Sequence, residues 1–170
     1  MKNKNPKTEL TAILSYAGYI LVAHELVKSM VVRPIKSFYA NTTFQGGPFQ
    51  SYEKDVLIRS KNEFEACLLY LKDFMEAIDE EDLNTIQALR EHRNDLAHNL
   101  PDLLESIHID QQSDLLNKTK AVIFKLSNYR TYIEIGQEPE LRGVDWNTVK
   151  GHEYLIIENI LDNVKILTRK

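Results

Sequence analysis

Apolar residues return every three or four positions over long stretches of this chain, and strand-like alternation is nowhere convincing. The first stretch predicts a helix from Thr8 to about Val32, with Leu10, Leu14, Ala17, Leu21, His24, Val27 and Val31 on one stripe. Pro34 should end it, because the residue before a proline avoids the α region. A long connection over 33–51 follows, broken by Gly46-Gly47-Pro48. A second helix is expected from Ser51 to Ile78, with Val56, Phe64, Cys67, Leu68, Leu71, Met75 and Ile78 in line.

The acidic run Asp79-Glu80-Glu81-Asp82 opens a third helix and suits its positive N-terminal end. Ile86, Leu89, Arg93, Leu96 and Leu100 recur along it, and Pro101 stops it and can open a short helix, Pro101–Ser106. Asp110 is placed to cap a fourth helix, Gln111 to Ile135, with Leu115, Val122, Leu126, Tyr129 and Ile133 in line and Gly136 as its stop. Asp145 is placed to cap the last, which buries Val149, Ile156, Ile157, Ile160, Val164 and Leu167. The whole pattern is all-α. It predicts an antiparallel bundle of four to five long helices in a single domain, residues 1–170.

Composition narrows the function classes. A chain of 170 residues that is 43% apolar can bury one real core. The apolar stretch Leu10–Val32 contains His24, Glu25 and Lys28, which are costly in a bilayer, and Lys7, Thr8 and Glu9 do not make a signal-peptide flank. It therefore reads as a buried helix, with no membrane partner. The single cysteine, Cys67, cannot form an internal disulfide, which fits the cytoplasm. Asn41 and Asn117 head glycosylation sequons by pattern only. A net charge of -4 excludes coating of nucleic acid by bulk charge, so any nucleic-acid contact must be a local pocket.

The densest chemistry lies in Arg93-Asn94-Asp95-Leu96-Ala97-His98. Arginine offers planar bidentate donors for phosphate oxygens, and histidine moves a proton near neutral pH. These residues are a minimal set for a phosphodiester. The arrangement resembles the Arg-x4-6-His motif of the HEPN superfamily, all-helical prokaryotic domains that are often metal-independent RNases of toxin–antitoxin and phage-defence systems. Arg93 matches the family's arginine, Asn94 its polar follower and His98 its histidine, with the closest similarity over Leu83 to Leu104. The resemblance implies an endoribonuclease acting on RNA, transfer RNA included, as a homodimer with the motif at its interface. An antitoxin protein is then a further partner, and DNA is not expected.

In such a reaction the ribose 2′-OH loses a proton, the 5′-oxygen gains one, and charge on phosphorus is stabilised. Arg93 and His98 are the candidate catalytic residues, and Asn94, Asp95 and Arg90 the candidates for binding or orienting the substrate. Five residues at about 100° each put Arg93 and His98 roughly 140° apart on an ideal helix. Arg93 then falls on the apolar stripe, pointing to a partner helix or a subunit seam. There it can pair with Glu63 or Glu65, a purely structural role, while His98 caps the helix end.

Other residues are weaker candidates. His24 reads as a core histidine, His92 and His152 as surface residues, and His108 as a neighbour that can fold back toward the motif. Glu91 with Asp95, or Asn94 with His98, has one-turn spacing. Nothing resembles His-Glu-x-x-His or Cys-x-x-Cys, so neither metal nor cofactor is expected. Cys67 falls on a buried stripe, which argues against a thiol nucleophile. Phe38, Tyr39, Phe44, Phe49 and Tyr52 can stack bases beside Arg33 and Lys36, but such rings more often pin a loop to the end of a bundle. Three readings compete: the nuclease, a catalytically inactive HEPN-like module that binds a nucleotide or protein, and a structural helical protein with a salt-bridged motif.

Overall fold

A computed structural model describes residues 6–103, 109–135 and 138–168. Among these residues the chain is all-helical and holds no strand. The helices are α1 (Pro6–Asn41), α2 (Tyr52–Asp55), α3 (Glu63–Asp73), α4 (Glu80–Leu103), α5 (Ile109–Ile135) and α6 (His152–Thr168). Three 3₁₀ turns lie at Leu57–Arg59, Pro139–Leu141 and Trp146–Thr148. Helix α1 packs against α3, α4, α5 and α6, while α4 and α6 both pack on α5. The fully buried side chains Tyr16, Ile20, Leu68, Leu89, Leu116 and Ile157 join these helices in one core.

Helix α1 does not end at Pro34; it continues to Asn41. A mid-helix proline loses one helix hydrogen bond and crowds the preceding turn, at a cost of about 3 kcal/mol. The continuation is held by packing: Ile35 is buried, and Phe38 and Tyr39 join rings from Phe44, Phe49, Tyr52 and Tyr70. The connection is therefore 42–51, not 33–51, and its aromatics serve as pins.

The helix expected over 51–78 is broken. Ser51 caps the short α2, Ser60 is extended, and the Asn62 side chain accepts from Glu65 N–H to start α3 afresh. Its buried stripe is otherwise as expected, with Val56, Phe64, Cys67, Leu68, Leu71 and Ile78 inside.

The stripe on α1 is turned. Ala17, His24, Val27 and Val31 are buried, but Leu10, Leu14 and Leu21 are exposed, and Ile13, Tyr16, Ile20 and Ala23 fill the core instead. The helix is apolar around much of its circumference, so periodicity alone leaves its buried arc open. By length and composition α1 also suffices to cross a membrane.

Near the chain's end, Asp145 caps the Trp146–Thr148 turn rather than α6, which starts only at His152, so Val149 lies outside the helix and is half-buried. Asp110 falls inside α5 instead of before it. Gly136 lies outside the described residues. A β-carbon on Gly151 would overlap the buried Ser127 side chain, so this glycine lets the start of α6 approach α5.

Candidate functional site

Helix α4 carries the motif, and its start is a reciprocal cap. The Asp79 carboxylate accepts from Asp82 N–H at 2.9 Å, and the Asp82 carboxylate accepts from Asp79 N–H at 3.0 Å. Lys125 of α5 donates to both, at 3.0 Å to Asp79 and 2.7 Å to Asp82. These bonds and the Lys125 charge hold the Asp79 carboxyl below its usual range. The acidic run thus starts the helix as its sequence suggests, and it also ties α4 to α5.

Ile86, Leu89 and Leu96 then bury one face of α4, with Arg93 on the same stripe. The regular helix is interrupted at Asn99, whose φ of -119° and ψ of 16° mark a kink two residues before Pro101. The expected stop at Pro101 is therefore a bend, with helix resuming to Leu103. Residues 104–106 of the expected short helix lie outside the described residues, as does His108. His98 is the last residue before the kink and is exposed.

Arg93 is half-buried. Its Nη1 donates to Asn94 Oδ1 at 3.2 Å, and its Nε is shut off from solvent with no hydrogen-bond partner among the described residues. It makes no ion pair among them. Neither carboxylate considered for it is its partner: Glu63 pairs with Lys36 at 2.8 Å, and Glu65 accepts from Ser60 at 3.1 Å. Arg90 donates to Gln87 at 3.4 Å and is also half-buried. Asp95 is exposed, and its charge is felt by His92, whose pKa it raises against the larger effect of burial. Because Arg93 and His98 lie on one uninterrupted helical segment, they stay about 140° apart around it.

Two histidines lie deeper than this pair. His92 is not a surface residue: it is half-buried and shares a 2.9 Å hydrogen bond, Nε2 to Oη, with the fully buried Tyr16 of α1. Burial holds His92 below, and Tyr16 above, its ordinary pKa. Sequence spacing has no signal for this bond, which joins residues on separate helices. His24 is a core histidine, as expected, in ring contact with Phe64. Burial lowers its pKa most; the Glu25 carboxylate at 3.4 Å opposes this, and the charges of Arg93 and Lys28 add to it. His24 thus lies within electrostatic reach of Arg93. Helix α1 therefore contributes Tyr16 and His24 to the surroundings of the motif on α4.

His152 is exposed, as expected. Cys67 is buried, its thiol pushed up by burial, and it contacts Tyr52 Oη at 3.4 Å. Among the described residues no three histidine, cysteine or acidic side chains converge to hold a metal ion. Two cavities of the fold lie away from the motif, and none of Arg90, Arg93, Asn94, Asp95 or His98 lines either. Neither of these two cavities is therefore the concave pocket that a local binding site at the motif calls for. No family model, no curated protein and no solved structure matches this chain.

Proposed function

We propose that this chain is a metal-independent endoribonuclease of the HEPN type, cytoplasmic, acting in a toxin–antitoxin or phage-defence setting. The helices would form that family's antiparallel bundle of four or five long helices. The observation that carries the reading is Arg93: a half-buried guanidinium with no carboxylate partner among the described residues and a buried Nε left unmet. A cation held in this way stabilises an incoming anion without first breaking an internal pair.

A homodimer supplies the missing concavity. On α1, Leu21 sits about 60° around the helix from His24, the residue that feels Arg93, and exposed Leu10 and Leu14 extend the same arc. A two-fold seam along those leucines brings two copies of α4 toward one groove. In that groove His98 of one copy takes the 2′-OH proton as the oxygen bonds to phosphorus. The P–O5′ bond breaks, and His98 of the second copy gives the departing oxygen its proton. Arg93 binds the non-bridging oxygens as charge builds, and Asn94, Asp95 and Arg90 orient the RNA. The product is a 2′,3′-cyclic phosphate.

The test is cleavage of total and transfer RNA by the purified protein with and without EDTA, beside Arg93→Lys and His98→Ala. Wild type should cut in EDTA and leave a cyclic phosphate end. His98→Ala should lose roughly 10²–10⁴-fold, and Arg93→Lys should fail because a point charge cannot replace the planar fork. Expression of wild type should slow growth, and His98→Ala should not. Cleavage that stops in EDTA would overturn the mechanism.

The net charge of -4 and the lack of either cavity at the motif favour a second reading, an inactive module of the same type that holds a nucleotide or an antitoxin-like protein. It gains if wild type and His98→Ala grow equally and neither cuts RNA.

A further inference from the structure

At the end of the fold away from the motif, the aromatic loop covers the C-terminal third of α1 without closing on it. A cavity of about 420 Å³ remains between α1, α3, α5 and the loop. Close-packed interiors leave few voids larger than a water molecule, whereas small-molecule sites run from about 300 to 1,000 Å³. The walls are apolar and largely aromatic: Pro34, Phe38, Phe49, Tyr70, Leu126 and Tyr129. The rings brace one another instead of collapsing inward. Phe38 meets Phe49 edge-on at 5.1 Å and 69°, and Phe49 meets Phe74 at 5.6 Å and 67°.

Polar groups interrupt these walls, the side chains of Ser37, Asn41 and Thr42 among them. Pro34 has no N–H to give the carbonyl of Met30, four residues earlier, and both residues line the cavity. The Met30 carbonyl thus lacks the donor that a regular helix would give it. At one end stand Arg130 and Glu134, also lining residues. Arg130 is held by Glu153, Nη1 to carboxylate at 2.9 Å, and its Nε lies 3.7 Å from Glu134, too far for a hydrogen bond. That Nε is shut off from water and has no hydrogen-bond partner among the described residues. The end of the cavity thus carries one guanidinium between two carboxylates, an excess of one negative charge.

We propose that this cavity is a binding site for an uncharged, flat aromatic molecule of two or three rings with a hydrogen-bonding edge. Aromatic walls favour a flat ring system, which they meet edge-on or offset. The excess of carboxylate over guanidinium around Arg130 disfavours an anion, and the apolar walls add the cost of desolvating any charge. The polar lining side chains Ser37, Asn41 and Thr42 meet the hydrogen-bonding edge of the ligand. The site is independent of the nuclease reading, because none of the motif residues lines it.

The experiment uses two probes with the same skeleton, N-phenyl-1-naphthylamine, which is neutral, and 1-anilinonaphthalene-8-sulfonate, which is anionic. Fluorescence titration of the full chain should show saturable one-to-one binding of the neutral probe. The sulfonate should bind at least about tenfold more weakly, and an aliphatic alcohol should not displace the neutral probe. Met75→Trp, which fills the cavity from α3, should weaken the neutral probe at least about tenfold while circular dichroism and Tm hold. Ser37→Trp fills it from the exposed side of α1 and serves as the second variant if Met75→Trp does not fold. Lack of binding, or equal binding by wild type and a folded filled variant, overturns the site. Equal or tighter binding of the sulfonate overturns the ligand class.

Discussion

The two ends of α4 handle charge in opposite ways. At its start, Asp79 and Asp82 cap each other and share Lys125, while Glu80 pairs with Lys72 at 2.8 Å. At its other end, Arg93 meets no carboxylate among the described residues, Arg90 donates to the Gln87 amide, and His98 is exposed at a kink. The start is acidic only and takes its cations, Lys72 and Lys125, from α3 and α5, whereas the other end has acidic and basic residues within a few positions of one another. Paired charges at the start stabilise the fold. An unpaired arginine on an apolar stripe adds desolvation cost to the folded state, which is the pattern of a group kept for a ligand.

The largest expected contrast is between activity and stability. Arg93→Ala and His98→Ala should lower RNA cleavage by at least roughly 10²-fold with Tm nearly unchanged. If Arg93→Ala unfolds the chain instead, the two ends are alike and the comparison fails.

Asp82→Ala should do the reverse. Asp82 is buried and holds both a capped N–H and Lys125. Its loss should cost about 2 kcal/mol in urea denaturation, with cleavage per folded molecule intact.

Tyr16→Phe tests the support beneath the motif. It removes the hydroxyl bonded to His92 and should cost about 1 kcal/mol, again read by denaturation. A change in cleavage larger than this loss of folded protein would move the Tyr16–His92 pair into the reacting machinery.

The smallest effect is in pH. Burial holds His24 and His92 below the ordinary imidazole value of 6.5, so the unfolded chain takes up protons first as pH falls. Stability should decline from about pH 6.5 downward and level off once the folded-state values are passed. For His24 the Glu25 carboxylate opposes the burial effect while Arg93 and Lys28 add to it, and for His92 Asp95 opposes it. His24→Phe, which keeps a ring against Phe64, should flatten the Tm-against-pH curve between pH 5 and 7. An unchanged slope would place the pH response elsewhere.

The all-helical class was legible from the three- and four-residue periods, as was the start of α4, because a cap and its helix are neighbours in the chain. The burial of His24 and Cys67 was legible on the same basis, each sitting on an apolar stripe. Arg93 was placed on its stripe correctly, but its partner was not: Glu63 looked suitable by type and is taken by Lys36 instead. Pro34 misled because its local rule is real yet smaller than the packing of Ile35, Phe38 and Tyr39 around it.

The chain's own order of residues determined the all-helical class, where α4 begins, and which residue types carry chemistry. Those properties depend on hydrogen bonds and side-chain spacing within a turn or two. Tertiary structure alone decided which arc of α1 is buried, that His92 bonds to Tyr16, that neither Glu63 nor Glu65 pairs with Arg93, and that the aromatic loop leaves a cavity. Each of these depends on how one helix crosses another, and crossing geometry is set by the joint packing of many distant side chains, which no local period encodes.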